Sequence, residues 1–155
     1  MPAVKRKCGA GGGAGRGPSG DCRGRPGEGA RRRGDLAAAA REYEEAGQFF
    51  CALGDNAGLQ ASLGNQAVIL QDRSDLDGAM ALHKQKEQFC RELAIVQGLA
   101  ISLANQGLIL GLNLGRRNEG MAKAEEALRL CSRAGLTSLA RQVQGIVNDI
   151  RAAGG

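Results

Sequence analysis

An all-α fold, an α-solenoid of antiparallel helical hairpins, follows from three features of this chain. The stretch Gly58–Leu70 returns forty residues later as Gly98–Leu110, with eight of the thirteen positions identical. Apolar residues recur at helical spacing from Leu36 to Ile150, and no stretch alternates with the period of two that a half-buried strand requires. Aromatic residues make up only 3% of the chain and Trp is absent, so the core is built from Ala, Leu, Ile, Val and Met, which suits closely packed helices.

The elements can be taken in order. Residues 1–33 are dominated by Gly and Arg with Pro2, Pro18 and Pro26, and they hold nine Lys/Arg against Asp21 and Glu28. Such a segment buries too little apolar surface to offset its ordering entropy, so it is expected to be a disordered basic tail. Residues 34–155 carry twelve Lys/Arg against fourteen Asp/Glu, so the net charge of +5 belongs to the tail and the body is nearly neutral. Leu36–Leu53 is a strong helix former, with Tyr43, Ala46, Phe49, Phe50 and Leu53 as its apolar positions, and Gly54-Asp55 ends it. The next helix spans about Gly58 to Asp72, with Leu59, Leu63, Ala67 and Leu70 on one stripe. Ser74-Asp75 breaks it, and Asp75 caps a helix whose apolar positions include Leu76, Ala79, Met80, His83, Phe89 and Leu93.

The pair then recurs through Leu99, Leu103, Gly107 and Leu110, followed by Met121, Ala124, Ala127, Leu128 and Cys131. One extra residue separates Cys90 from its counterpart Cys131, and the turn Leu114–Asn118 is the expected place for it. A last helix near Thr137–Ala152 aligns Leu139, Val143, Ile146, Val147 and Ile150. The expected organisation is a tail over 1–33, a half unit over 34–55, full units over 56–94 and 95–135, and a capping helix over 136–152.

Cys8, Cys22, Cys51, Cys90 and Cys131 are odd in number and lack the tight spacing of a disulfide framework or a zinc site. They read as thiols, with Cys90 and Cys131 on buried helix faces, in a reducing cytoplasmic compartment. No apolar leader follows Met1 and no run of about 18 apolar residues exists, so neither secretion nor membrane spanning is expected.

The Leu63-Gly64-Asn65-Gln66-Ala67 and Leu103-Ala104-Asn105-Gln106-Gly107 segments resemble the first-helix signature of tetratricopeptide repeats of the long, roughly forty-residue kind, similar to those of kinesin light chains and spindle-orientation adaptors. The resemblance covers residues 34 to about 150. It implies small residues where the paired helices approach: Ala39 and Ala46 in the first unit, Ala67 and Ala79 in the second, Gly107, Gly120 and Ala127 in the third. Lys86 departs from it, standing where the family has Ala, so its stem is expected to pack while its amine reaches water. The first unit has only its second helix, so helix 36–53 is expected to bare one face. That opens self-association through this helix, and it suits a piece or isoform of a longer array.

The resemblance also implies a groove lined by first-helix side chains that grips a peptide or a partner helix. Carried over residue by residue, it presents Asn65, Val68, Gln71 and Asp72, then Ile101, Asn105, Leu108 and Leu112. The carboxamides of Asn65 and Asn105 either hold a ligand or bond to the neighbouring helix; the sequence leaves both open. Ala61 and Ile101 occupy places where a carboxylate clamp would need Lys or Arg, and only Arg141 supplies a cation, so a mixed polar and apolar groove is expected.

Chemical motifs are few. Gly15-x-Gly17-x-x-Gly20 follows no strand and contains Pro18, so it is compositional and not a dinucleotide fingerprint. His83 is the only histidine, has no partner at zinc spacing, and reads as a packed side chain. Cys90 lies two helical turns, about 10 Å, from it, too far for a nucleophile pair. Glu42, Glu44 and Glu45 read as a solvated face. No enzyme, cofactor or metal site is expected. The leading expectation is a non-catalytic scaffold that binds protein or peptide. The alternative is nucleic-acid binding by Lys5-Arg6-Lys7 and Arg31-Arg32-Arg33, without base stacking because the tail holds no aromatic residue. Lys5-Arg6-Lys7 is also a short candidate nuclear-import patch.

Overall fold

The structure, a computed structural model, describes residues 28–155. Among them every regular element is helical: α1 (Glu28–Arg32), α2 (Leu36–Leu53), α3 (Asn56–Asp72), α4 (Leu76–Glu92), α5 (Val96–Leu108) continued by a π-turn (Ile109–Asn113), α6 (Arg117–Ala134) and α7 (Thr137–Ala152). The expected all-α helical repeat array is the fold observed. The chain divides into two compact units, one ending at Ser74 and the other running from Asp75 to Gly155.

The helices are punctuated by left-handed residues at a strict interval. Gly34, Gly54, Ser74, Ala94, Gly115 and Gly135 all have positive φ, twenty residues apart except for twenty-one between Ala94 and Gly115. The forty-residue repeat is thus a pair of twenty-residue steps, each a helix and a tight turn. After three of these turns an aspartate caps the next helix: Asp35, Asp55 and Asp75 accept from the backbone N–H groups of Ala38, Gly58 and Gly78 at 2.9, 3.0 and 2.9 Å. Each bond satisfies one of the donors that a helix start leaves open. Ile95, Arg116 and Leu136 hold the matching places without a side-chain cap.

In the first unit α2 packs on α1 and α3. The first described helix starts at Glu28, ahead of the expected boundary at 34; the remainder of the expected tail, residues 1–27, lies outside the described residues. Ala30 of α1 is buried with Ala39, Tyr43 and Ile69, and Arg31 Nε reaches Asp72 Oδ2 at 2.8 Å. α2 buries Ala39, Tyr43 and Ala46, and its large exposed apolar side chains lie at its C-terminal end, where Leu53 is 65% exposed and Phe49 38%.

In the second unit α5 packs between α4 and α6, and α7 packs on α6 and α5. Its core joins Cys90, Leu99, Leu103, Ala127, Cys131 and Val143. The residue inserted between Cys90 and Cys131 is not in the turn where it was expected. Arg73-Ser74-Asp75 and Leu114-Gly115-Arg116 are turns of the same length and geometry, with the left-handed residue in the middle. The insertion is taken up inside the helix as the π-turn, which closes with Leu114 N donating to the Ile109 carbonyl at 2.9 Å. Close backbone packing holds it there: a methyl added at Gly120 would lie 2.5 Å from Gly111 N and 2.7 Å from the Gly107 carbonyl oxygen. The other expected small positions, Ala39, Ala46, Ala67, Ala79 and Ala127, are all buried.

Candidate functional site

The repeat-identical polar residues separate into two kinds. In the first unit Ser62 Oγ donates to the Tyr43 carbonyl, and Gln66 Nε2 donates to the same oxygen at 3.3 Å. In the second unit Ser102 Oγ and Gln106 Nε2 donate to the His83 carbonyl at 2.5 and 3.4 Å. A helical carbonyl keeps a second lone pair after its i+4 bond, and this pair of donors uses it to tie each helix to the next. Asn65 and Asn105, beside those residues and equally preserved in the repeat, are half-buried, and neither carboxamide makes a hydrogen bond among the described residues. Of the two roles open to them, bonding to the neighbouring helix is not the one adopted.

The remaining groove residues can be placed one helix at a time, since α3 lies in the first unit and α5 in the second. On α3, Val68 and Gln71 are half-buried, and Asp72 is exposed but paired to Arg31. On α5, Ile101 and Leu108 are half-buried. Leu112, in the π-turn, is 39% exposed. The forty-residue offset set Leu112 opposite Asp72, but because the extra residue lies within the helix, the forty-one-residue offset of the following turn pairs Leu112 with Gln71 and Asn113 with Asp72. Arg141 is exposed on α7, and at that offset it matches Ala100; Gln142 is the counterpart of Ile101.

Behind the α5 stripe lies a charged tie that sequence inspection missed. Glu87 occupies the place of Gly47 in the preceding repeat and accepts from Gln106 Nε2 at 2.7 Å, Arg91 Nη2 at 2.9 Å and Lys123 Nζ at 3.1 Å. Arg91 Nη2 continues to Glu126 Oε1 at 2.7 Å. Burial alone would raise the Glu87 carboxyl pKa, but the bonds from Gln106, Arg91 and Lys123 outweigh it and hold it below the usual range. The signal was present as the change from Gly47 to Glu87 at that repeat position.

His83 is buried as expected, and burial, aided by the charge of Lys86, lowers its pKa to about 4. Lys86 does not reach water as expected: only 3% of the residue is exposed, and burial lowers its pKa. Cys90 and Cys131 are free and buried, and burial pushes both thiols up. Cys51 is in a disulfide, so reading all five cysteines as thiols fails there.

Among the described residues no three His, Cys, Asp or Glu side chains gather as a metal site, and no helix is long and apolar enough to cross a membrane. For the nucleic-acid alternative, residues 1–27 lie outside the described residues, and Arg31 is engaged with Asp72. No protein-family model matches the chain, and no curated protein matches it.

Proposed function

We propose that this chain is a non-catalytic scaffold of the tetratricopeptide kind, which holds a protein or peptide partner through first-helix stripes, that of α3 in the first unit and that of α5 in the second, each taken by itself. One observation carries the reading. Three polar residues return together in the repeat; Ser and Gln are consumed in packing, while the half-buried Asn makes no bond among the described residues. A carboxamide offers a donor and an acceptor together, which suits a partner's backbone or amide.

The test is the Asn65→Ala plus Asn105→Ala variant of the full chain. Its thermal unfolding is expected to match the parent within about 0.5 kcal/mol, because partly exposed side chains without bonds are replaced. Its capture of partner proteins from cell extract, read by quantitative mass spectrometry, is expected to fall at least tenfold. Undiminished capture with an intact fold overturns the assignment.

A further inference from the structure

We infer that Lys86 and Cys90 form an oxidative modification site on α4, where hydrogen peroxide closes a reversible sulfur–nitrogen bond between the two side chains. They stand one helical turn apart on the buried side of α4, with β-carbons about 6 Å from one another. The lysine stem is long enough to bring Nζ to Sγ over that span without moving the backbone. Cys90 is a free thiol with no exposure, and Lys86 is only 3% exposed. Among the described residues no hydrogen bond or ion pair engages the Lys86 amine. The one attraction acting on it is that of the Cys90 sulfur.

The repeat carries a matched control. Cys131 holds the place of Cys90 forty-one residues on and is equally free and buried, but Ala127 stands where Lys86 does. In the first repeat the same two places hold Ala46 and Phe50, so amine and thiol meet in α4 alone. Burial pushes both thiols up, and only at Cys90 does a neighbouring cation draw the group back toward thiolate. Burial also lowers the Lys86 pKa, which favours the neutral amine with its free electron pair.

The chemistry balances in two steps. The Lys86 amine takes the thiol proton, and the Cys90 thiolate attacks one peroxide oxygen. The O–O bond breaks, sulfur is oxidised by two electrons to a sulfenic acid, and the departing hydroxide takes the proton from Lys86 to leave as water. The amine then attacks sulfur: the S–N bond forms, the S–O bond breaks, and hydroxide leaves with a proton from nitrogen as a second water. Thiol, amine and hydrogen peroxide thus become a sulfenamide and two waters. Burial keeps thiols of other molecules away from the sulfenic acid, while the helix holds the amine beside it. A thiol reductant cleaves the S–N bond and returns both groups.

Peroxide treatment of the full chain, followed by alkylation in denaturant and trypsin digestion, tests this. The expected product is the peptide Gln85–Arg91, uncleaved after Lys86, unalkylated at Cys90 and two hydrogens lighter, which disappears on treatment with dithiothreitol. Cys90 is expected to oxidise about tenfold faster than Cys131 in the same molecules. Lys86→Met, which keeps an unbranched stem without the amine, is expected to abolish this peptide and to bring Cys90 to the pace of Cys131. Cys90 that ends as a sulfinic acid or in a disulfide, with cleavage after Lys86 intact, overturns the inference. Equal reactivity of Cys90 and Cys131 in the parent also overturns it, a comparison that needs no variant to fold.

Discussion

The carbonyls of Tyr43 and His83 receive the same two donors from the helix that follows, yet the surroundings of those donors differ. Gly47 packs directly against these donors: a methyl there would lie 2.9 Å from Ser62 Oγ. In the next repeat Glu87 stands at that place and takes Gln106 as one of its partners. Gln106→Ala strips a donor from a carboxylate only 14% exposed, so it is expected to cost about 2–3 kcal/mol, against about 1 kcal/mol for Gln66→Ala. Urea unfolding of the two variants checks the difference. In α7 the same places hold Val143 and Val147, both buried, and Ala124 replaces His83, so an apolar contact substitutes for the polar tie.

His83 sets a pH dependence of its own. Its folded pKa of about 4 lies below the ordinary value of 6.5, so the unfolded chain binds the proton more readily between those values. The contribution of neutral His83 is complete above pH 6.5 and declines as pH falls toward 4, by at most about 3 kcal/mol. In His83→Tyr, which installs the residue type of Tyr43, stability measured from pH 7 to 4 is expected to lose this part of its slope.

At the scale of the elements, the twenty-residue interval of left-handed residues organises the chain. Four of the six are Gly, which adopts positive φ without a Cβ penalty; Ser74 and Ala94 carry one. Ala94→Gly keeps the turn before Ile95 and removes that strain, and is expected to stabilise the protein by about 0.5–1 kcal/mol in thermal unfolding. A lower midpoint would show that the unfolded-state entropy of glycine outweighs the relief. These turns were legible in the sequence at Gly54-Asp55 and Ser74-Asp75 because glycine and capping residues declare themselves locally. The position of the inserted residue was not. A count from Cys90 to Cys131 detects an insertion, but the backbone approach of Gly111 and Gly120 across two helices decides that a helix absorbs it.

For the molecule as a whole, the division at Ser74 predicts unequal responses to damage. Gly120→Ala places a methyl against the Gly111 and Gly107 backbone, neither of which can rotate aside, and is expected to cost about 2–4 kcal/mol. Repeat arrays store stability in nearest-neighbour contacts, so amide exchange is expected to accelerate through 75–155 while α2 and α3 keep most of their protection. Uniform acceleration across both units would show that they unfold as one.

The sequence by itself determined the helices, the forty-residue repeat, the small residues at close approaches and the burial of His83. Each is a property of periodicity, local backbone preference or side-chain size, and is readable within a turn or two of helix. Only the tertiary structure decided which polar residues of the repeat face inward. Ser62 and Gln66 meet a carbonyl nineteen and twenty-three residues back along the chain, while Asn65 between them meets none. The order in Glu28–Arg32 is likewise tertiary, since a five-residue helix has too few hydrogen bonds to persist alone and is held by Ala30 in the core and Arg31 on Asp72. So too is the burial of Lys86, where packing around α4 overrode the tendency of a long cationic side chain to reach water. Spacing names the face of a helix, but whether a polar group on that face is already spent depends on partners that folding alone brings near.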